Sequence, residues 1–248
     1  MLLKDHMTYS GARLFRWRSY LPLAFLPLMA LTLRHGEMVE LRLGDIAGDI
    51  YEALCVLMAV AGQSLRIATV GFVPNGTSGR NTTGQIADRL NTTGFYSVVR
   101  NPLYLGNCMI YLGIAGFTQD VMLTLVMALV LALYYERIIS TEEAFLAEKF
   151  GPAYLDWAAV TPAFFPRLSG WRAPDLRFSP GMVIRREHAS VFAVLLALYL
   201  IKLGLHSYGT EREPLPPVWH GLMAAAALAL GIIVVLKRRT RVFDAALR

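Results

Sequence analysis

A succession of long apolar runs constrains this chain more than any other feature. They lie at residues 20–33, 51–73, 102–117, 121–139, 189–205 and 218–236. A helix needs roughly 20 apolar residues to cross ~30 Å of hydrocarbon, and most of the runs approach that length. Helices are the spanning form that satisfies its own backbone within each segment. The expected fold is therefore all-α: a polytopic membrane helical bundle of about six transmembrane helices. The first run is short and carries Pro22 and Pro27, so five spans is the alternative.

The loops orient the bundle. Lys4, Arg13, Arg16 and Arg18 precede the first run, and Arg80, Arg89 and Arg100 separate the second from the third. Arg137, Lys149, Arg167, Arg172, Arg177, Arg185 and Arg186 separate the fourth from the fifth, and Lys237, Arg238, Arg239 and Arg241 follow the sixth. The alternate loops hold only Arg34, Arg42, Lys202 and Arg212. Basic residues accumulate on the cytoplasmic side, so both termini and the two long loops are expected there. This bias accounts for the net charge of +6 without invoking nucleic acid, and basic groups at a membrane surface attract anionic head groups. The N-terminus shows no small-residue cleavage pattern and reads as retained.

Metal and redox chemistry find little support. Cys55 and Cys108 both lie in apolar runs, where a structural disulfide is not expected. His6, His35, His188, His206 and His220 are scattered, none paired at i, i+4, so no metal site is assigned. Neither a nucleophile elbow nor a dinucleotide fingerprint occurs.

Between the runs, residues 74–101 form a polar loop. Its sequons at Asn75, Asn81 and Asn91 face the cytoplasm on the charge rule and are not expected to be glycosylated. Thr118-Gln119-Asp120 joins two runs into a tight hairpin. Ser140-Thr141-Glu142-Glu143 fits a capping box for a new helix, unless the fourth helix continues through it. Phe145, Leu146 and Phe150 could give this stretch an apolar face, and Gly151-Pro152 should end it. Pro162, Pro166, Pro174 and Pro180 then predict extended and turn structure.

Four constellations could carry chemistry. In Arg100-Asn101-Pro102-Leu103-Tyr104-Leu105-Gly106 the proline suits the first helical position. The helix N-terminus suits a carboxylate or phosphate. Gly106 would let another backbone or a cofactor approach. On spacing alone this is equally a helix start with interfacial anchors. Glu142-Glu143 could bind an amine or ribose hydroxyls, but adjacent helical residues diverge by about 100° and so do not share one ligand. Arg66, near Gln63 and Ser64, is a charge inside an apolar run; it marks a functional site or snorkels to the surface. Gly76-Thr77-Ser78-Gly79-Arg80-Asn81 could cradle a phosphate, although it lacks the Walker lysine and spacing.

Taken in order, these pieces resemble the isoprenylcysteine carboxyl methyltransferase and phospholipid methyltransferase superfamily. The carriers are Gly62-x-x-Leu65-Arg66, Gly94-x-Tyr96 and Arg100-x-Pro102-x-Tyr104-x-Gly106. They are followed by Glu142-Glu143-x-x-Leu146-x-x-x-Phe150-Gly151-x-x-Tyr154. The resemblance covers about residues 60–166. It suggests a single integral membrane domain over 1–248: N-terminal spans at 1–60, a methyltransferase-like core at 61–166, and a linker with two spans at 167–248.

The resemblance implies S-adenosylmethionine as methyl donor, bound at the cytoplasmic face of what would be a bacterial inner membrane. Tyr96, Asn101, Tyr104, Leu105, Gly106, Glu142 and Glu143 would line or hold the cofactor. Arg66 and Arg100 would face the reacting head group, with Arg80 as a further substrate contact. Asn101 stands where the family usually has His, and Asn cannot act as a base at neutral pH. Trp157 and Thr161-Pro162 also depart from the pattern. The absence of an obvious base favours an anionic oxygen acceptor. Residues 76–81 and 91–94 are similar to bacterial members that methylate a lipid A phosphate. A prenylcysteine carboxylate and the phosphatidylethanolamine amine are alternative acceptors. A membrane reductase using a nicotinamide cofactor and a non-catalytic membrane protein are alternative functions.

Overall fold

The computed structural model describes residues 3–17, 24–33, 38–74, 87–208 and 214–240. The start of the first apolar run, the sequons at Asn75 and Asn81, and the Gly76-to-Asn81 loop with Arg80 lie outside the described residues. Those described form α1 (Leu3–Trp17), α2 (Leu26–Thr32), α3 (Met38–Leu43), α4 (Asp45–Gly71) and α5 (Pro102–Gly116). They continue with α6 (Val121–Phe150), α7 (Pro152–Val160), α8 (Pro180–Tyr208) and α9 (Pro217–Arg239). Among the described residues there is no strand; Gly94 and Arg172 form an isolated antiparallel bridge.

Four helices, α4, α6, α8 and α9, are long and apolar enough to cross a membrane. Their outer faces are apolar. On α4, Ile46, Ile50, Leu54 and Leu57 form an exposed stripe at helical spacing. No residue of α9 is fully buried, and only part of the helix, including Trp219, packs on the core. Such surfaces are stable against lipid, and the chain is an integral membrane protein.

The other two apolar runs give shorter helices than expected. Within the described part of the first run, residues 24–33, the α-helix is the seven-residue α2, with Pro27 in its first turn. The third yields the 15-residue α5, about 22 Å long. α5 stops short because its hairpin with α6 turns inside the protein: Thr118 and Gln119 are completely buried, and Gln119 takes a positive φ of 58°. Asp120 caps α6 by accepting from the Leu123 amide at 2.8 Å. α6 then runs unbroken for 30 residues through the expected capping box. Thr141 does not cap a new helix; its hydroxyl donates to the Arg137 carbonyl one turn back, at 3.0 Å. Gly151, at φ +54°, does end the helix, and Pro152 opens α7.

The most extensive packing joins α4 to α5. A Cβ on Gly62 would lie 2.6 Å from the Gly106 carbonyl oxygen, and one on Gly106 would lie 2.8 Å from that of Gly62. Gly113 meets Cys55 and Ala59 in the same way. Backbones approach this closely in a membrane bundle where small residues face each other. One core joins α1, α5 and α6 around Phe15, Cys108, Tyr134, Tyr135 and Ile138. A second joins α4, α5 and α8 around Ala59, Ile110, Phe117 and Leu198.

The two ends of the bundle differ. At one, Lys202 of α8 donates to both Glu52 oxygens at 2.7 and 2.9 Å. Gln119 donates to Glu52, and the backbone amide of Glu40 in α3 donates to Gln119. The other end carries the signature loop. Gly62→Ala is expected to destabilise the bundle by about 1–3 kcal/mol, whereas Gly231→Ala, with nothing within 4 Å of its added carbon, leaves it unchanged. Thermal unfolding in detergent checks the pair; equal midpoints would remove the close contact as a determinant.

Candidate functional site

The signature loop is built by backbone geometry before any ligand is considered. Gly94 adopts φ +60° and opens a single 3-10 turn at Phe95–Ser97. Its amide donates to the Arg172 carbonyl at 2.9 Å, and the Arg172 amide donates to the Ser97 hydroxyl at 2.9 Å. The Arg100 amide donates to Pro162 and the Arg167 amide to Val98, each at 2.9 Å. The segment after α7 is thus laced across the loop. Pro102 occupies the first turn of α5, as its missing N–H allows.

Side chains then join this loop to α6 and α7. The Arg100 Nε and Nη2 both donate to Glu143 Oε1, at 2.9 and 2.7 Å. Its Nη1 donates to the Ala158 and Thr161 carbonyls, each at 2.7 Å. Those carbonyls close the C-terminus of α7, where a cation also complements the helix dipole. Asn101 donates its amide to the Ala163 carbonyl at 2.9 Å. Trp157 donates to the Tyr96 carbonyl at 3.2 Å. The Tyr104 hydroxyl donates to Glu142 Oε1 at 2.8 Å. The two adjacent carboxylates therefore serve different partners, as their angular separation requires. The Tyr104 ring packs on Tyr135, centroids 4.9 Å apart, and Tyr135 on Tyr134.

A second group lies deeper. Arg66 of α4 forms a forked pair with Glu187 of α8: Nε to Oε2 at 2.9 Å and Nη2 to Oε1 at 2.7 Å. Its Nη1 donates to Asn107 Oδ1 at 2.5 Å. Gln63 donates to Glu187 Oε2 at 3.0 Å and accepts from Ser190 at 3.0 Å. The Glu187 carboxylate is almost wholly buried, at 3% exposure. The Tyr96 phenol links the two groups. Burial pushes its ionisation upward and the Glu142 carboxylate adds to the rise, while Arg186 and Arg66 oppose it. Charges from α4, α6 and α8 thus converge on one hydroxyl, which remains a neutral donor at physiological pH. Burial, with Glu143, likewise raises Tyr154 in α7.

Most sequence-derived residues therefore fall in one region. Tyr104 bonds to Glu142, whose charge reaches Tyr96, Arg100 bonds to Glu143, and Asn101 bonds to Ala163 beyond α7. Gly106 lies against Gly62 and the stem of Arg66, so its missing side chain serves the approach of another backbone. Leu105 is half-buried in the first turns of α5. Four of the five Arg100 donors are engaged by protein.

Sequence reading did not find Asn107, Arg186 or Glu187. Residues 180–188 read as the end of the non-spanning segment, with Pro180 predicting turn structure, whereas α8 begins at Pro180. The signal was available: Ser179-Pro180 is a helix-start pattern, and Ser179 leads into α8 with its hydroxyl 3.4 Å from the Met182 amide. Among the described residues, no group of three or more His, Cys, Asp or Glu side chains is gathered as a metal site.

Comparison with known proteins places this region in context. Residues 53–153 match the family model for phospholipid methyltransferase. The chain is 45% identical over 89 residues to the cobalt-zinc-cadmium resistance protein CzcN of Cupriavidus metallidurans, covering 36% of this chain and 41% of that one. It is 39% identical over 119 residues to the nickel-cobalt-cadmium resistance protein NccN of Alcaligenes xylosoxydans xylosoxydans, covering 47% and 53%. It is 35% identical over 77 residues to the protein-S-isoprenylcysteine O-methyltransferase of Schizosaccharomyces pombe, covering 31% and 33%. The chain thus spans about half or less of the length of these relatives. No solved structure matches it.

Replacing Arg100 by Gln removes a fork that ties the loop to both α6 and α7. Charged hydrogen bonds of this kind are worth about 1.5–3 kcal/mol, so a comparable loss in unfolding free energy is expected in detergent. An unchanged unfolding midpoint would mean that the loop is held without it.

Proposed function

We propose that the chain is a membrane methyltransferase of the phospholipid and isoprenylcysteine methyltransferase superfamily, a reading supported by the family match over residues 53–153 and the isoprenylcysteine methyltransferase relative. It uses S-adenosylmethionine and acts on a lipid or lipidated substrate with an anionic head group. The observation that carries this reading is the junction of the signature loop with Glu142 and Glu143 at one end of an apolar bundle.

The chain's own groups fit such a cofactor. Glu142 or Glu143 would offer carboxylate oxygens to an ammonium or to ribose hydroxyls. Tyr104, half-buried beside Tyr135, would offer its ring to a cationic sulfonium. Asn101 offers an amide that both donates and accepts, and it supplies binding without proton transfer. The bound cofactor would contribute an electrophilic methyl group. Methyl transfer is an in-line displacement, so orientation supplies most of the catalysis.

Arg100 then acts as a positioning residue for Glu143. Arg66 keeps one N–H on each terminal nitrogen beyond the bonds it makes to described residues, and it is the cation assigned to the head group. A phosphate or carboxylate oxygen is a nucleophile without a base, which agrees with Asn101 at the family's usual His position. The lipid A phosphate is the preferred acceptor, and a prenylcysteine carboxylate has the same anionic chemistry. The site would face the cytoplasm of a bacterial inner membrane, in keeping with Lys237, Arg238 and Arg239 at the end of α9.

Calorimetric titration of the purified chain with S-adenosylmethionine tests the reading. Saturable binding is expected, weakened at least tenfold in Glu142→Ala/Glu143→Ala and severalfold in Tyr104→Phe. A folded wild type that does not bind, or a double variant that binds normally, would remove the site.

A further inference from the structure

Glu187 lies outside the family-matched residues, in a helix to which the signature assigns no part. It is nevertheless the most deeply buried acidic side chain among the described residues. We propose that Glu187 is a positioning residue that orients Arg66 toward an anionic acceptor, so that α8 completes the acceptor side of the site. The inference rests on the methyltransferase reading above.

The geometry has three parts. First, Glu187 takes the Nε–Nη2 edge of Arg66 with two oxygens, which fixes the plane of the guanidinium as one contact could not. Second, Asn107 of α5 takes Nη1, and the Arg66 stem packs over Gly106, so the arginine is held from α8 and α5 at once. Third, Glu187 is itself held: Gln63 donates to its Oε2, and Ser190, one turn further along α8, orients Gln63. A surface-snorkelling arginine needs no such scaffold. The side chain is only 17% exposed, and the remaining N–H groups lie on the side of the guanidinium away from the fork. Tyr96 feels the charge of Arg66 and, more strongly, that of Arg186, the residue before Glu187. One turn of α8 thus contributes a carboxylate to fix one cation and a second cation beside the same hydroxyl.

The test uses the full chain in detergent, titrated separately with S-adenosylmethionine and with dodecyl phosphate as anionic probe. In Glu187→Gln, S-adenosylmethionine affinity is expected to stay within about twofold, while dodecyl phosphate affinity falls about tenfold. In an Arg66→Gln background the same change is expected to have no further effect, since the residue acts through Arg66. If Glu187→Gln does not fold, Glu187→Asp keeps the buried charge paired while moving the fork, and the same selective loss is expected. Unchanged probe binding would overturn the inference. So would tighter binding, which would make Glu187 a counter-ion that the acceptor displaces. A wild type that binds dodecyl phosphate but not S-adenosylmethionine would instead defeat the methyltransferase reading and leave the role of Glu187 in anion binding standing.

Discussion

A charge inside an apolar bundle must bring its partner with it. Among the described residues, three ionic pairs meet that requirement: Arg66 with Glu187, Arg100 with Glu143 and Lys202 with Glu52. Each joins segments far apart in the chain, so each also specifies which helices are neighbours. Breaking such a pair leaves an uncompensated charge, at a cost of about 3–5 kcal/mol when fully buried. Their net worth against apolar replacements is much smaller. Their contribution is therefore to register. α8 is fixed to α4 at both ends, by Glu187 to Arg66 and by Lys202 to Glu52, and cannot slide by a turn without stranding two charges.

The small residues of α4 and α5 complement that register. Gly62, Gly106 and Gly113 allow two backbones to touch over most of the length of α5. Apolar burial does not drive helix association within lipid, so close packing and polar contacts carry more of the specificity. The short α5 then has to turn while still inside the protein, and its turn residues need polar partners. Gln119 finds them in Glu52 and the Glu40 amide. Closing the far end is what leaves polar chemistry to the signature end.

Much of this was legible in the sequence. The apolar runs gave the helix class, and Gly151-Pro152 gave the break after α6. The ordered motif gathered Tyr96, Asn101, Tyr104, Glu142 and Glu143, which the fold brings into one region. Length was less legible. A run at residues 102–117 looks like a span until a buried turn shortens it, and burial of that turn depends on tertiary partners. The capping-box pattern at Ser140 failed because an established helix continues cooperatively through residues that could have started a new one. Glu187 was hidden among arginines that read as loop charge. Its importance depends on Arg66, which is distant in sequence and outside any local period.

The end of the bundle joined by Arg100 and Glu143 is the part proposed to transfer a methyl group to a membrane lipid. The most direct test is to reconstitute the chain in vesicles of bacterial lipid extract with methyl-labelled S-adenosylmethionine and follow label into the organic phase. Time-dependent label is expected in a lipid, released by acid as methyl phosphate from a phosphate acceptor or by base as methanol from a carboxylate acceptor. Label retained on nitrogen would contradict the anionic acceptor, and no lipid label from a chain that binds the cofactor would contradict the proposed transfer itself.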